Sequence, residues 1–568
     1  MKKNSMWIQS GISLAVAAAM LCGCAGGAST AAETTAAASA TMAAADGAIE
    51  AMPEENGYMA ETTAGARAQD SIAYKYNQAY GPGSHGTGNY GPGSHGTEDY
   101  NTEEYNYISE NGYKRVADEP LSTFSIDVDT AAYSNVRRMI NQGTQVPADA
   151  VRIEEMINYF NYDYPEPEGG EPFSVTTEYS ACPWNEEARL LLIGLQAKKI
   201  DFEDRPASNF VFLLDVSGSM LSEDKLPLVQ KSFGMLAENL TEKDRVSIVT
   251  YAGYETVVLA GESGDHTSTI VDALDSLEAG GSTAGSAGIQ KAYELAEKYF
   301  IPGGNNRVIL ATDGDLNVGI TSEGELTRLI EEKRKSGVHL SVLGVGTGNI
   351  KDNKMEALAD NGDGNYNYLD SIYEAKRVLV DEMGGTLLTV AKDVKIQVEF
   401  NPAYVAGYRL VGYENRLLNK EDFHNDAVDA GEIGSGHTVT ALYEIVPSGA
   451  GGAGKEELKY QPAPAQEGLT DSSELLTVSL RYKAPNGDTS KLMSHPVESG
   501  SYQNALSPNL RFAAAVAEFG MVLRDSENKG TASYESVMAL AEPCVTMWSD
   551  SYRKEFLELV QKAERMAE

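Results

Sequence analysis

The middle of the chain alternates between short apolar runs and amphipathic stretches. Phe210–Leu214 is continuously apolar, which is typical of a parallel strand buried on both faces. The next segment places apolar residues three and four positions apart, as a helix packed on one side does; they are Leu226, Val229, Phe233, Leu236 and Leu240. Similar pairs of apolar runs and helical stretches follow as far as residue 385. The pattern predicts an α/β fold with a doubly wound, mostly parallel sheet.

The segments on either side of this unit have a different pattern. Residues 172–200 are strand-like, and Val394–Phe400 alternates strictly between apolar and polar residues, which predicts a strand with one buried face. Helical runs occur near the start of the N-terminal flank, at 131–141 and 147–160, and again after residue 507. We therefore expect the α/β unit to be inserted between β-rich flanks, with helices at both outer ends.

The first residues are typical of an export signal. Two lysines precede an apolar run from Ile8 to Leu21, which is too short to span a membrane. The small residues before Cys24 match the bacterial lipoprotein cleavage box, so we expect cleavage after residue 23 and a lipid on Cys24. The chain would then be exported and anchored to a membrane, facing the extracytoplasmic side. A plain secretory signal or an uncleaved anchor is the alternative.

The pattern divides the chain into five parts. Residues 25–105 are rich in Ala, Thr, Gly and Glu without apolar periodicity, which is typical of disordered chain. The predicted parts are a signal peptide (1–23), a disordered low-complexity tether (24–106), an N-terminal region (107–205), the α/β domain (206–386) and a C-terminal domain that is β-rich and then helical (387–568).

Charge narrows the range of partners. The chain has 45 basic and 83 acidic residues, a formal net charge of -38. Removal of residues 1–23 deletes two lysines and no acids, so the mature charge becomes -38 - 2 = -40. Such a surface repels nucleic acid and favours cations, or partners that are recognised through cations. We expect no nucleic-acid partner.

Two cysteines remain after Cys22 leaves with the signal and Cys24 takes lipid. They are Cys182 and Cys544. An oxidising compartment permits a disulfide bond between them, but residues so far apart cannot be paired from sequence alone. The sequence leaves two alternatives open, a disulfide or two buried free thiols.

Oxygen-bearing residues gather where the predicted strands end. The first buried strand ends in DVSGS at 215–219, GGSTA at 280–284 precedes a helix, and TDGD at 312–315 ends a later strand. Ligands bind beyond the carboxyl ends of strands in open α/β sheets. Two carboxylates and three hydroxyls at this edge suit a hard divalent ion such as Mg²⁺, with Mn²⁺ or Ca²⁺ as alternatives.

These three motifs resemble the metal-ion-dependent adhesion site of von Willebrand factor type A domains. The resemblance implies that Ser217, Ser219 and Thr283 bind the ion directly. It implies that Asp215 and Asp313 hold the ion at least partly through water. It also implies that the last coordination position is left for an acidic group of a protein partner.

The flanks extend the resemblance. VRIEEMINYF at 151–160, YRLVGYENR at 408–416 and DAGEIGSGHTVTALYE at 429–444 are similar to the flanks of the YfbK-type bacterial lipoproteins. That family joins a von Willebrand-associated N-terminal region, a type A domain and a C-terminal domain of unknown function. The resemblance implies a fold and an ion site, but it does not imply a particular partner.

Enzyme motifs are incomplete. Val216 and Asp215 precede Ser217, so the glycine of a nucleophile elbow is missing. The histidines form no HExxH zinc motif, and Gly449–Lys455 lacks the Ser or Thr that should follow a phosphate loop. We predict a non-enzymatic envelope protein that binds a partner through its ion. The rivals are an envelope scaffold whose ion is only structural and a metal-dependent hydrolase.

Overall fold

The computed structural model describes residues 102–126, 129–201, 204–281, 285–314, 323–449, 472–485, 487–548 and 550–568. The predicted signal peptide, the lipidation site at Cys24 and the predicted tether up to residue 101 lie outside them. All described residues belong to one compact unit. In this part of the chain, no helix is both long enough and apolar enough to cross a membrane.

The N-terminal flank contains two short strands, two helices and a long antiparallel strand pair. They are β1 (Lys114–Arg115), β2 (Leu121–Ser125), α1 (Ala131–Asn141), α2 (Ile153–Asn158), β3 (Phe173–Ala181) and β4 (Arg189–Ala197). The helix predicted over 147–160 is shorter. Its first turn is a 3-10 helix, and Arg152 adopts an extended conformation just before α2.

The α/β domain then alternates strands with helices as predicted. Its elements are β5 (Ser208–Asp215), α3 (Leu226–Ala237), β6 (Arg245–Tyr251), β7 (Glu255–Ser263), α4 (Thr267–Asp275), α5 (Gly285–Lys298), β8 (Asn305–Thr312), α6 (Glu323–Lys333), β9 (His339–Val345), α7 (Asp352–Asn361), β10 (Tyr366–Leu369), α8 (Ile372–Lys376) and α9 (Met383–Leu387). A turn of π-helix at Arg377–Asp381 separates α8 from α9.

The C-terminal flank begins with strands and ends with helices. Its elements are β11 (Thr389–Phe400), β12 (Val405–Val411), β13 (Ile433–Gly434), β14 (Thr438–Pro447), β15 (Glu474–Lys483), β16 (Lys491–Glu498), β17 (Tyr502–Gln503), α10 (Pro508–Arg524), α11 (Tyr534–Trp548) and α12 (Ser551–Ala567). The pattern of the sequence missed β16. Much of that strand is exposed, so it lacks the apolar alternation that reveals a strand.

The central sheet of the α/β domain has the order β10-β9-β8-β5-β6-β7. All neighbouring strands are parallel except β7, which runs antiparallel to β6 at one edge. Separate apolar cores cover the two faces of the sheet. The predicted fold class is confirmed, and the doubly wound order places the carboxyl ends of β5 and β8 side by side.

Strands from the two flanks combine into shared sheets. One has the order β1-β12-β14-β4-β3-β17, and the other has the order β13-β11-β15-β16 with β2 paired to β11. Apolar residues of both sheets form one core, which includes Phe124, Ile193, Val398 and Tyr443. Residues 102–197 and 389–503 therefore fold together, with the α/β domain inserted between them.

Cys182 and Cys544 both lie in the helical core that covers the larger flank sheet. Each is a buried free thiol. This is the second of the two arrangements that the sequence left open. The Sγ atom of Cys544 contacts the backbone carbonyls of Pro508 and Leu540, at 3.6 and 3.7 Å.

The folded chain begins earlier than predicted. The predicted tether includes residues 102–106, but Thr102–Tyr105, here called the strap, lies along the loop after β9. The backbone amides of Thr102 and Glu104 donate to the carbonyls of Gly348 and Ile350, at 2.8 and 2.9 Å. The strap is polar and has no apolar periodicity, so the pattern that reveals packed elements could not show it.

Candidate metal centre

Backbone hydrogen bonds connect the loop after β5 to the end of β6 and to Gly280 and Gly281. The amide of Val216 donates to the carbonyl of Tyr251 at 3.0 Å. The amide of Gly280 donates to the carbonyl of Val216 at 2.7 Å, and the amide of Gly218 donates to the carbonyl of Gly281 at 3.1 Å. Backbone hydrogen bonds alone therefore fix the loop after β5 on both sides.

The side chain of Asp215 is held from two directions. Its Oδ1 accepts a hydrogen bond from the amide of Ser217 at 2.9 Å, and its Oδ2 accepts one from the hydroxyl of Thr312 at 3.1 Å. The hydroxyls of Ser217 and Ser219 lie 3.0 Å apart. Asp215 and Ser217 are buried while Ser219 is exposed, so the group of oxygens reaches solvent at Ser219.

Asp313 lies at the end of β8 and has a cationic neighbour that sequence reasoning missed. The Nζ atom of Lys225 donates to Oδ2 of Asp313 at 2.9 Å and to Oδ1 of Asn349 at 3.0 Å. Lys225 is only 7 % exposed. A lysine just before an apolar helix usually points to solvent, so the sequence carried no signal for this contact.

The two carboxylates differ in their electrostatic surroundings. Burial raises the pKa of Asp215 to about 6, and the nearby charge of Asp313 adds to the rise. Burial also acts to raise the pKa of Asp313, but hydrogen bonds and charge from Asn349, Lys225 and Ser219 outweigh it and lower the pKa. Two buried acids at one sheet edge create a site that favours positive charge.

The structure brings together four of the five residues that the sequence predicted as metal ligands: Asp215, Ser217, Ser219 and Asp313. Thr283 lies outside the described residues, and Gly281, two residues before it, contacts the loop after β5. Carboxylate and hydroxyl oxygens are the donors that Mg²⁺ and Ca²⁺ prefer. The donor set therefore fits a hard divalent ion, with Asp215, Ser217, Ser219 and Asp313 as the described residues that would hold it.

A second acidic cluster joins the α/β domain to the C-terminal flank. Carboxylate oxygens of Asp363, Asp429 and Glu432 lie within 4.8 Å of one another. Arg334 pairs with Asp363 at 2.7 Å and also with Asp429. Asp363 is far along the chain from the other two acids, so the sequence carries no signal for the cluster.

Family models of known proteins match most of the described region. Three family models match: "von Willebrand factor" over residues 99–192, "von Willebrand factor type A domain" over 209–380 and "Uncharacterized protein YfbK, C-terminal" over 385–566. Among solved structures, a von Willebrand factor type A protein from Catenulispora acidiphila covers 66 % of this chain and 87 % of its own, with 14 % identity and a TM-score of 0.40.

Two curated relatives are similar in sequence. The uncharacterized protein sll0103 of Synechocystis is 28 % identical over 209 residues, which is 36 % of this chain and 48 % of the relative. The uncharacterized protein YfbK of Escherichia coli K12 is 44 % identical over 467 residues, which is 81 % of each chain. The chain therefore belongs to the YfbK family and carries a von Willebrand factor type A domain between its flanks.

Proposed function

We propose that this protein is an exported, lipid-anchored binding protein that holds a divalent cation and, through it, an acidic side chain of a protein partner. The cation would be held by Asp215, Ser217, Ser219, Thr283 and Asp313. The observation that supports this most is the convergence of two buried carboxylates and two adjacent hydroxyls at one edge of the sheet, with Ser219 open to solvent.

The ion would supply the positive charge that a partner's carboxylate needs. The chain carries a formal charge of -38, so an acidic ligand approaching without an ion would be repelled. A bound dication is the largest local charge in such a site, and there it turns the repulsion of an acidic ligand into attraction. Mg²⁺ is the first choice, with Mn²⁺ or Ca²⁺ as alternatives, because hydroxyl and carboxylate oxygens suit all three.

The envelope location rests on the N-terminal sequence. A basic start, an apolar run and small residues before Cys24 occur in the order that a lipoprotein signal requires. The lipid on Cys24 would attach the chain to a membrane on the extracytoplasmic side. The partner would then be another protein of the envelope or one presented to it.

Binding rather than catalysis is the activity we infer. The three segments that form the site, 215–219, 280–284 and 312–315, contain no histidine that could serve as a general base. The hydroxyl of Ser217 shares a hydrogen bond with that of Ser219 and also interacts with the carboxylate of Asp215, which we assign to the ion. The hydrolase alternative would need a base supplied from elsewhere.

A capture experiment tests the proposal. The full chain, immobilised, is incubated with detergent-solubilised envelope of the host in Mg²⁺ or in chelator, beside Ser219→Ala and Ser222→Ala. Ser222 is an exposed serine of the same loop, so its loss controls for local damage. We expect one protein, identified by mass spectrometry, to be retained by wild type and Ser222→Ala in Mg²⁺ alone.

Two results would contradict the proposal. Retention that survives chelation would favour the scaffold alternative, because the ion would then only stabilise the fold. Equal retention by Ser219→Ala in Mg²⁺ would show that the ion acts elsewhere.

A further inference from the structure

A lysine side chain lies buried inside the candidate metal centre. Lys225 precedes α3, and its backbone carbonyl accepts the hydrogen bond of Val229 at 2.9 Å. Its Nζ atom reaches back to Oδ2 of Asp313 at 2.9 Å and to Oδ1 of Asn349 at 3.0 Å. The ammonium thus pairs with one of the two carboxylates that would hold the ion.

The fold leaves a path for this side chain. Gly346, just after β9, has a φ of +78°, and a Cβ atom there would lie 2.2 Å from Cε of Lys225 and 2.5 Å from its Cγ. Only a glycine lets the lysine stem pass at this distance. Asn349 belongs to the same loop, and the amide of Gly348 donates to Oε1 of Glu103 in the strap at 2.9 Å. The lysine and its second partner are therefore held by packing on several sides.

The charges explain why a cation belongs at this place. Asp215 and Asp313 are both fully buried, and buried carboxylates are stable only when they are paired or hydrogen-bonded. Lys225 neutralises Asp313 without any ion. A dication held by the same carboxylate would bring a second positive group close to the ammonium, and the repulsion between them would be little screened in a buried site.

We propose that Lys225 is a built-in counter-cation that competes with the divalent ion for Asp313 and so weakens ion binding. This inference rests on the proposed function, because it concerns the same ion. In the absence of an ion, the ammonium keeps Asp313 paired and stabilises the sheet edge. An ion that binds must either displace the ammonium from Asp313 or remain close to it against their mutual repulsion. The protein therefore binds the ion only when the free ion concentration is high.

Calorimetry with Mg²⁺ alone as the probe tests this. Wild-type full chain is compared with Lys225→Met, which keeps an apolar stem beside Gly346, and with Lys225→Gln, which keeps a polar end. Lys231→Met is the matched control, because Lys231 is an exposed lysine on the same helix. Thermal unfolding in chelator and in Mg²⁺ is recorded for each protein.

We expect both neutral variants to bind Mg²⁺ more tightly than wild type, on the order of tenfold. We expect the same two variants to unfold at a lower temperature than wild type in chelator and to recover in Mg²⁺. A purely structural ion pair would lower stability and leave Mg²⁺ affinity unchanged or weaker. Lys231→Met should match wild type in both measurements.

Ser219→Ala, made in the wild type and in Lys225→Met, separates this inference from the proposed function. Loss of Mg²⁺ binding in Ser219→Ala, together with no tightening in Lys225→Met and Lys225→Gln, would overturn the role of Lys225 alone. Unchanged binding by Ser219→Ala would overturn the site itself and this inference with it. If one neutral variant fails to fold, the other decides.

Discussion

At the sheet edge, the absence of a side chain on a glycine affects packing as much as a hydrogen bond from another residue does. Gly346 and Gly348 both adopt a positive φ, +78° and +85°. A Cβ atom at Gly346 would collide with the stem of Lys225, whereas one at Gly348 would meet nothing within 4 Å. Substitution of Gly348 therefore tests only the cost of the left-handed backbone conformation. Substitution of Gly346 tests that cost together with the contact to Lys225.

This difference predicts the stabilities of two alanine variants. Gly348→Ala should lower the free energy of unfolding by about 1 kcal/mol, the cost of a left-handed conformation for an L residue. Gly346→Ala should cost about 1–3 kcal/mol more, since it also overpacks the path of Lys225. Urea unfolding in chelator measures both. Equal losses would mean that the lysine stem moves aside freely.

The sequence predicts the residues of the site only where they belong to a short motif. Asp215, Ser217, Ser219 and Asp313 occur in short segments at predicted strand ends, so topology alone brought them together. Lys225 could not be predicted in the same way, because its position depends on how α3 begins and on the missing side chain of Gly346. Contacts made by long, flexible side chains depend on packing that no local pattern encodes.

At the scale of elements, the strap ties the N-terminal end of the described chain to the loop after β9. The side chains of Glu103 and Arg138 form an ion pair at 2.9 Å and are 4 % and 8 % exposed. Glu104 pairs with Lys351 at 2.6 Å, but its side chain is 52 % exposed. Two adjacent acids thus make one buried and one exposed ion pair.

Because one ion pair of the strap is buried and the other is exposed, we expect substitutions of Glu103 and Glu104 to lower the free energy of unfolding by different amounts. Glu103→Gln should cost about 3–5 kcal/mol, because it leaves the buried guanidinium of Arg138 without its charged partner. Glu104→Gln should cost less than about 1 kcal/mol, as expected for an exposed pair. Denaturant unfolding of the full chain compares them. Similar small losses for both would show that the strap does not stay docked in solution.

Elements with strong apolar periodicity were the ones that the sequence predicted well. The last of the helical stretches, which ends at residue 385 in the sequence pattern, is an instructive exception, because the structure divides it into α8, a π-helical turn and α9. Arg377, in that turn, forms ion pairs with Glu374 and Glu382. Gly384 and Gly385 follow, and glycine is a poor helix former. The apolar periodicity of this segment predicts which face is buried, but it does not predict the hydrogen-bond pattern within the segment.

At the scale of the whole molecule, the junction between the α/β domain and the C-terminal flank is crowded with acids. Burial, Asp363 and Asp429 raise the pKa of Glu432 well above its ordinary value. Burial and Asp363 raise the pKa of Asp429 to about 6. Asp393 raises the pKa of Glu432 further, and Arg307 opposes the rise.

This junction predicts how stability changes with pH. A carboxyl group with a raised pKa keeps its proton longer in the folded than in the unfolded chain, so stability falls as pH rises from the ordinary pKa of about 4.3 towards the folded one. Glu432→Gln removes this loss. The variant should therefore be more stable than wild type at pH 8, and its advantage should be smaller at pH 5.

Unfolding in urea at the two pH values checks the prediction, with Glu399→Gln as control. Glu399 lies on β11 and is exposed, so its substitution should leave stability unchanged at either pH. A gain of equal size at pH 5 and pH 8 for Glu432→Gln would show that the effect is not the ionisation of this carboxyl group.

We propose that the sheet edge of the α/β domain binds the divalent ion, and calorimetric titration of Mg²⁺ into the full chain tests this most directly. Wild type and Ser222→Ala should each bind one ion at this edge. Ser219→Ala should bind that ion on the order of tenfold more weakly or not at all, because it loses one neutral oxygen ligand. Identical titration curves for wild type and Ser219→Ala would contradict the account.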